Sequence, residues 1–497
     1  MTTPSEVDLA YSPAYRLAEM VRNGEVRSAD LVDLYLDRIE RHNGALNAVV
    51  TLDPEGARRT ARECDRAVAE GREVGPLHGV PITVKDAFTV AGMRSTSGMT
   101  DLADDVPDYD AFAVGRLRGA GAVILGKTNC PPGVTGQETA NEVFGRTNNP
   151  WDLSRTCGGS SGGAAVALAA GLTALELGSD SGGSIRQPAH YCGVYGHAPT
   201  HGLVPLLGHR PSVGPDQPGK DIDLLYVGPM ARCAEDLELA LGVIASPDPV
   251  TGTGWALDLA PARVEDVRSL RVGVWADDPA CPTGPEVAAV LESAADALES
   301  AGASVDRAAR PSFPLAEAQE VAFALWVAAS SERTGDEEME RLRQVAARGG
   351  DSLEVRRAVA ETMPHRDWLR TDSRRRRMQT AWLELLDRVD VVVCPVTPVP
   401  ALPHDPEHDQ IASVDHRIAR TMDVGGEPRP YLDQLTWPIV VGMAGLPATV
   451  VPLGLTPDGL PVGAQVVGKP GEDRRTLAAA RMVAEVTGGF RRPPGYG

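Results

Sequence analysis

The chain has 497 residues, of which 42% are hydrophobic and 23% are charged, and its net charge is −20 at neutral pH. These values are typical of a globular protein that can bury a large core. The strong negative charge argues against binding to a nucleic-acid backbone or an anionic membrane through the field of the whole molecule. Seven scattered cysteines show neither metal-ligand spacing nor a disulfide framework. With no signal-peptide pattern at the start and no long apolar window, a cytoplasmic location is expected.

The first seventy residues are predicted to be mainly helical. Hydrophobic periodicity predicts helices over 15–23 and 29–42, the second with Ser28 as its N-cap. An extended segment over 46–52 and an amphipathic helix over 54–70 follow. We interpret residues 1–70 as a helical segment that packs on the main domain.

Helices then alternate with short apolar strands. A strand within 75–90 carries Lys85 into the interior, and residues 112–119 and 123–125 are predicted to form a helix and a strand. The Gly-, Pro- and Asn-rich segment 130–151 is predicted to be a long ordered loop, a kind of segment that often lies over a functional site. This alternation favours an α/β sheet covered on both sides.

Two glycine-flanked serine clusters occupy the middle of the chain. Residues 158–163 read GGSSGG, residues 181–184 read SGGS, and an apolar run separates them. Glycine lets a reacting atom approach the main chain closely, which a nucleophile beside an oxyanion hole requires. Ser160 and Ser184 are therefore candidates for catalysis, although two ordinary surface turns would have the same composition.

Two other motif interpretations apply to the first cluster. A phosphate-binding loop is excluded, because it needs a lysine next to Ser or Thr and none lies between Lys127 and Lys220. Residues 158–162 do fit the nucleophile elbow of α/β-hydrolases, with Ser160 as nucleophile, but this leaves the second cluster unexplained. That hypothesis requires an acid and one of the histidines that follow, which are His190, His197, His201, His209, His365, His404, His408 and His416.

Lysine is rare in this chain. Of the 48 lysines and arginines, only four are lysines, namely Lys85, Lys127, Lys220 and Lys469. Because arginine cannot lose its proton in a protein and a desolvated lysine can, a lysine base is not replaceable by arginine. Chance retention is the alternative explanation, but the apolar run before Lys85 makes it a candidate base.

The remaining elements continue the same pattern. No repeat or linker is visible, so one domain is predicted over 1–497, with a catalytic core over about 75–230 and 389–470. The predicted elements are a helix that ends near Val243, strands over 270–275 and 389–394, a helix over 285–300, a strand from Ser304, a largely helical stretch over 315–378 and a final helix over 472–486.

The serine region resembles the amidase signature family. The resemblance rests on residues 158–163, on the 24-residue step from Ser160 to Ser184, and on the sequence GGSIRQPA that starts at Gly182. It is long and specific, unlike an isolated Gly-x-Ser-x-Gly motif. Further blocks at 227–235 and 445–470 extend it over nearly the whole chain, and residues 425–431 look more like those of free-standing bacterial amidases.

The resemblance implies a fold and a set of site residues. The fold is a single large α/β domain with a central twisted mixed β-sheet covered by helices on both sides. Ser184 is implied as the nucleophile, Ser160 as a relay after a cis peptide bond, and Lys85 as the base. The implied oxyanion hole is formed by the main-chain N–H groups of Ser181, Gly182, Gly183 and Ser184, and the implied supporting residues are Ser161, Asp180 and Arg186.

The implied function is a serine amidohydrolase that cleaves a carboxylic amide through an acyl-enzyme, without a metal or cofactor. Carbamate (urethane), anilide or ester hydrolysis are alternatives within the family. Two further functions are less favoured, namely the glutaminase subunit of a tRNA-dependent amidotransferase and a non-catalytic binding protein. The expected partners are a small-molecule amide or carbamate, no nucleic acid and no membrane, in a monomer or homodimer.

Overall fold

A mixed β-sheet of eleven strands organises the computed structural model, which describes residues 5–210, 222–264, 266–405 and 414–497. In chain order the strands are β1 (Val49–Leu52), β2 (Pro81–Lys85), β3 (Val123–Thr128), β4 (Glu176–Asp180), β5 (Tyr195–Ala198), β6 (Tyr226–Ala231), β7 (Arg271–Val274), β8 (Ser304–Asp306), β9 (Val391–Pro395), β10 (Ala448–Leu455) and β11 (Pro461–Val467).

The strand order across the sheet is β1-β3-β2-β4-β6-β5-β10-β11-β9-β7-β8. Strand β2 runs parallel to β3 and β4, and β7 runs parallel to β8 and β9. The other neighbours are antiparallel. The predicted mixed sheet is therefore confirmed. Three short ribbons lie outside it, and they pair Ala140–Asn141 with Gly145–Arg146, Asn148–Asn149 with Asp152–Thr156, and Thr421–Val424 with Glu427–Pro430.

Sixteen α-helices surround the sheet within the described ranges, and none of them is long and apolar enough to cross a membrane. They are α1 (Glu6–Tyr11), α2 (Ala14–Arg22), α3 (Ser28–Leu46), α4 (Pro54–Ala69), α5 (Phe112–Gly119), α6 (Gly162–Ala169), α7 (Arg186–Cys192), α8 (Ala234–Ile244), α9 (Pro285–Ser300), α10 (Leu315–Ser330), α11 (Asp336–Ala347), α12 (Leu353–Glu361), α13 (His365–Arg388), α14 (Val414–Ala419), α15 (Thr436–Gly442) and α16 (Asp473–Thr487).

Both faces of the sheet are covered, as predicted. Successive side chains of a strand point to opposite faces, and β9 shows the result. Val391 and Val393 belong to one hydrophobic cluster, whereas Val392 and Cys394 belong to another that contains buried tryptophans. The sheet joins strands from both ends of the chain, and this supports the proposal that residues 1–497 form a single domain.

The N-terminal helices pack on the sheet domain through buried polar contacts. The Arg38 guanidinium on α3 donates to the carbonyl oxygens of Ala170 and Gly171, which follow α6. One detail of the prediction is wrong, because Ser28 is the first residue of α3 and Arg27 occupies the N-cap position. The Ser28 N–H donates instead to Asp65 on α4, 2.6 Å away.

Candidate active site

Lys85 lies at the end of β2, between two other strands, with its side chain fully buried. Its Nζ atom lies 2.7 Å from Ser160 Oγ and 2.9 Å from Ser161 Oγ. It also lies 3.0 Å from the Ser179 hydroxyl and 3.3 Å from the Ser179 carbonyl oxygen. The predicted base and the first serine cluster are therefore in direct contact.

Neither of the other two lysines that the structure describes contacts the serine clusters at 158–163 and 181–184. Lys127, on β3, is also buried, but its ammonium bonds to the Asp86 carboxylate at 3.1 Å and to the Phe88 carbonyl at 2.7 Å. Lys469 forms an ion pair with Asp387 near the surface. Lys220 lies outside the described residues. Among the lysines that the structure describes, Lys85 alone meets the requirements of the predicted base.

Ser160 lies in the turn that leads into α6. The Gly159–Ser160 peptide bond is cis, as the resemblance implied. The helix begins two residues later and packs tightly, because a Cβ on Gly163 would lie 2.4 Å from the Asn129 nitrogen. Only glycine allows this approach of α6 to the end of β3.

Ser184 lies on the loop between β4 and α7. The Ser161 N–H donates to the Ser184 carbonyl at 3.0 Å, which joins the two serine loops, and Gly183 adopts a positive φ of 104°. In the described part of the chain, no hydrogen bond joins the hydroxyls of Ser160 and Ser184. The N–H of Gly183 donates to Asp180, whereas no acceptor is found there for those of Ser181, Gly182 and Ser184.

The loop between β4 and α7, which carries the predicted nucleophile Ser184 and is called the nucleophile loop below, is held by a buried ion pair. Asp180 accepts hydrogen bonds from the Arg186 guanidinium at 2.8 and 2.9 Å and from the N–H groups of Gly183, Ile185 and Arg186. Both side chains are at most 1% exposed. The pair is therefore buried rather than exposed at the surface. Burial alone would raise the pKa of Asp180, but the charge and hydrogen bonds of Arg186 hold it below its usual value.

Burial also shifts the titration of the groups around the lysine. It lowers the pKa of Lys85 from 10.5 to about 8, against the opposing influence of Cys130, Asp180 and Glu176. It raises the pKa of the Glu176 carboxyl to about 7, although hydrogen bonds from Thr83 act in the other direction. A low-dielectric environment disfavours the charged form of each group. Lys85 is therefore partly neutral near neutral pH.

The α/β-hydrolase interpretation receives no support from this geometry. The hydrogen-bond partner of Ser160 Oγ is Lys85 Nζ rather than a histidine. Two of the histidines that follow are engaged elsewhere, since His190 bonds to main-chain carbonyls and His197 contacts Asp473.

Several residues at the site were missed by the sequence analysis. The Trp326 indole on α10 donates to Ser181 Oγ at 3.0 Å. The Gln187 side chain accepts from the Gly159 N–H at 3.3 Å and donates to Gln434. His209 Nε2 lies 2.8 Å from the Ser179 hydroxyl. Gln187 lies within the GGSIRQPA sequence and His209 is one of the histidines considered for the nucleophile elbow, but neither was assigned this position, and Trp326 belongs to no motif.

A cavity of about 580 Å³ opens beside the serine loops. Trp326, which contacts Ser181, and Gln137, which adjoins Gly159, both line it. Phe323 and Val327 extend its apolar wall. A second wall is charged and contains Arg357, Glu361 and Arg417. This size is in the usual range for sites that bind ligands.

Comparison with known proteins identifies the family. The family model described as Amidase matches residues 30–477. The chain belongs to the amidase signature family. Among solved structures of this family, a bacterial aryl acylamidase has a TM-score of 0.79 and 25% identity, with 96% of each chain covered. The chain is therefore an enzyme of the amidase signature family.

Curated relatives of this amidase signature enzyme carry a different name. The A subunit of the glutamyl-tRNA(Gln) amidotransferase of Roseiflexus castenholzii is 34% identical over 97% of this chain and 98% of its own length. The protein of the same name from Deinococcus radiodurans is 37% identical over 96% of this chain and 98% of its own length.

These relatives show that the predicted partners are wrong. We expected a small-molecule amide or carbamate, no nucleic acid, and a monomer or homodimer, whereas each relative is named as one subunit of an enzyme whose name includes a tRNA. The charge argument failed because a net charge of −20 describes the mean field of the molecule. A mean field excludes neither a local contact nor a contact made through another protein of an assembly. The relatives likewise lend no support to a free-standing enzyme or a urethanase.

The Asp180–Arg186 pair generates a test of how the nucleophile loop is held. We expect Asp180→Asn to lower the free energy of unfolding by about 3–5 kcal/mol at pH 7, because it leaves the Arg186 charge buried without its partner. Urea unfolding followed by tryptophan fluorescence measures this loss. Because the folded-state pKa of Asp180 is depressed, the wild type keeps this stabilisation above the usual carboxyl pKa of 3.8 and loses it only as the pH falls below that value.

Asp266→Asn is the matched control, since it removes an ion pair with Arg268 in which both side chains are exposed. The control should leave the urea midpoint unchanged. Equal midpoints for both variants would show that the buried pair does not hold the loop.

Proposed function

We propose that this enzyme hydrolyses a carboxylic amide through an acyl-enzyme on Ser184, with Lys85 as the base and Ser160 as the relay. The observation that carries the proposal is the contact between Lys85 and the first serine cluster. A lysine can accept a proton only when neutral, and burial brings the pKa of Lys85 down to about 8. Its Nζ lies 2.7 Å from Ser160 Oγ, within reach for proton transfer.

The proposed reaction begins with proton transfer through the relay. Neutral Lys85 takes the proton of Ser160 while Ser160 takes that of Ser184, and Ser184 Oγ attacks the carbonyl carbon of the amide. The negative charge that develops on the carbonyl oxygen is stabilised by the N–H groups predicted to form the oxyanion hole. Those of Ser181, Gly182 and Ser184 are available for this, and the N–H of Gly183 also bonds to Asp180.

Collapse of this intermediate breaks the C–N bond. The proton held by Lys85 returns through Ser160 to the leaving nitrogen, so ammonia or an amine departs and an ester remains on Ser184. A water molecule then attacks the ester in the same way and releases the carboxylic acid. The lysine is neutral again at the end, which closes the cycle.

Glutamine is the first candidate for the amide. The curated relatives are subunits of glutamyl-tRNA(Gln) amidotransferase, and we propose that this chain supplies ammonia from glutamine within such an assembly. The charged wall of the cavity supports this choice. Arg417 lines the cavity and offers positive charge to the carboxylate of a free amino acid, whereas Arg357 and Glu361 are paired with each other at 3.0 Å.

An amide with an aromatic or long apolar group is the second candidate. It is favoured by the apolar wall, where Phe323, Trp326 and Val327 lie side by side. Apolar lining of this kind binds ligands mainly through removal of their surface from water. The structural similarity to an aryl acylamidase points the same way.

Ammonia and amine release decide between the two candidates. We expect glutamine to be cleaved slowly by the chain alone and faster when the other subunits of the assembly from a relative are added, because partners complete such a site. An acyl anilide should be cleaved at a rate that does not change on that addition, if it is cleaved at all. Anilide cleavage with no ammonia from glutamine under either condition would reject the first candidate.

Chemical labelling tests which serine reacts. We expect a fluorophosphonate to add to Ser184 and the Ser184→Ala variant to lose both labelling and turnover, because Ser184 is the proposed nucleophile and belongs to the loop proposed to form the oxyanion hole. Peptide mass spectrometry locates the adduct. Ser293→Ala, on an exposed face of α9, is the control and should label like the wild type. An adduct on Ser160 would instead support the nucleophile elbow.

The pH dependence tests the base. We expect the rate to rise with pH through about 8, since protonated Lys85 cannot accept a proton and the rate then falls about tenfold for each pH unit below that value. Lys85→Arg should be nearly as inactive as Lys85→Ala, because arginine keeps its proton. Lys469→Arg, which replaces a surface lysine, is the control. Substantial turnover by a correctly folded Lys85→Arg enzyme would overturn the mechanism.

A further inference from the structure

Two side chains next to the base have no role in the mechanism described so far. The Ser179 hydroxyl on β4 lies 3.0 Å from Lys85 Nζ and 2.8 Å from His209 Nε2. Ser179 therefore connects the proposed base to a histidine. All three side chains are at most 1% exposed. A buried array of three polar groups that ends on the catalytic lysine calls for an explanation.

His209 is held firmly in this array. Its main chain forms an antiparallel bridge with Phe88, and the next residue, Arg210, donates its N–H to the Ala87 carbonyl at 2.7 Å. The imidazole packs edge-on against the Phe88 ring, with 5.0 Å between centroids and an angle of 79°. The segment that carries His209 is thus fastened to the residues that directly follow β2, the strand of Lys85.

The hydrogen atoms around Lys85 limit what each neighbour can do. A neutral lysine has two N–H donors and one lone pair, and the proposed mechanism requires the lone pair to face Ser160. The two N–H groups must then be accepted by the hydroxyls of Ser161 and Ser179. Ser161 can accept, because its own proton goes to the Ser179 carbonyl oxygen, 3.2 Å away.

Ser179 can accept from Lys85 without competing for the lone pair only if its own proton goes to another acceptor. The atom in place to take that proton is His209 Nε2, at 2.8 Å. This requires the tautomer of His209 that carries its proton on Nδ1, because Nε2 must then be an acceptor. If Nε2 cannot accept, the Ser179 hydroxyl turns its proton to the Lys85 lone pair.

We propose that His209 is a positioning residue that accepts the proton of the Ser179 hydroxyl and so leaves the Lys85 lone pair free for Ser160. The inference rests on the proposed function, because it assumes that Lys85 is the base. His209 does not touch the reacting atoms. It acts by fixing the direction of one hydroxyl group, and this decides whether the base points at the relay.

Other titratable groups lie near Lys85 and His209, but the proposal gives them no part in the proton arrangement. Cys130, Asp180 and Glu176 influence Lys85. Burial raises the pKa of the Cys130 thiol to about 12, so it is neutral, and Asp180 is paired with Arg186. On the histidine side, Arg210 forms an ion pair with Asp105. Each group faces Lys85 or His209 without replacing the Ser179 hydroxyl between them.

The test compares three single variants and one double variant of the full chain by the rate at which a fluorophosphonate labels Ser184 between pH 6 and 10. His209→Phe keeps the packing on Phe88 but removes the acceptor, and we expect labelling to slow by about tenfold or more. The midpoint of its pH profile should move to lower pH, because a hydrogen bond to the lone pair stabilises the neutral amine. His209→Gln, whose side-chain oxygen can accept, should recover most of the rate.

Ser179→Ala removes the competing proton together with the bridge. We therefore expect a smaller loss than in His209→Phe, and no added loss when His209→Phe is combined with it. If His209→Phe does not fold, Ser179→Ala alone keeps the proposal testable: it leaves the Lys85 lone pair free, so its labelling rate should stay within about tenfold of the wild-type rate, and a larger loss would overturn the proposal.

The outcomes separate this inference from the proposed function. If the wild type is labelled on a residue other than Ser184, the proposed function fails and the inference fails with it. If Ser184 is labelled and His209→Phe reacts as fast as the wild type, only the inference is overturned. It is also overturned if His209→Gln is as slow as His209→Phe at an unchanged melting temperature, or if Ser179→Ala is the slower of the two single variants.

Discussion

The burial of one lysine among hydroxyl groups is the constraint on which the rest of the site depends. Lys85 is fully buried, yet no carboxylate is in hydrogen-bond contact with it in the described structure, and its neighbours are serine oxygens. A carboxylate in that position would stabilise the ammonium form and raise the pKa of the lysine. Hydroxyls satisfy the N–H groups without adding charge. Lys85 can therefore lose its proton near pH 8 rather than near its usual pKa of 10.5.

The nucleophile loop follows a different physical rule. There the structure uses full charges, and the Asp180 carboxylate is surrounded by the Arg186 guanidinium and three main-chain N–H groups. A buried ion pair of this kind is costly to desolvate and contributes chiefly when all its hydrogen bonds are made. Its value here is geometric, since it fixes the direction of the loop that bears Ser184. Charged groups thus hold the loop of Ser184 in place, whereas the groups that contact Lys85 are uncharged serine oxygens.

Much of the fold was predictable from the sequence because it is encoded locally, whereas the roles assigned to the serines came from a family resemblance. The alternation of apolar strands and helices predicts an α/β sheet covered on both sides, and the family resemblance adds that this sheet is mixed. The glycine-serine clusters predict loops where a backbone can come close to a reacting atom. The scarcity of lysine is enough to draw attention to Lys85 as a base. Ser28 shows the limit of local rules, because its hydrogen-bonding role is decided by Asp65 on a neighbouring helix.

Residues that reach the site from distant segments could not be predicted. Trp326 contacts Ser181 from 145 residues further along the chain, and Gln187 meets Gln434 across 247 residues. His209 was only one of several histidines, because nothing in its local sequence shows that it will face Ser179. The binding partners could not be predicted for another reason. Amino-acid composition gives the average charge of the surface and does not show where on it another molecule binds.

The hydrogen bonds of Arg186 to distant residues have a consequence for the order in which the site is assembled while the chain is being synthesised. Its guanidinium donates to the Pro438 carbonyl at 2.9 Å and to the Gln465 side chain at 2.8 Å, although Lys85, Ser160 and Ser184 have all been translated by residue 184. A nascent chain on the ribosome thus carries the three proposed catalytic residues long before these contacts can form. The loop that bears Ser184 gains its full set of Arg186 hydrogen bonds only once β11, the last strand of the sheet, has been synthesised.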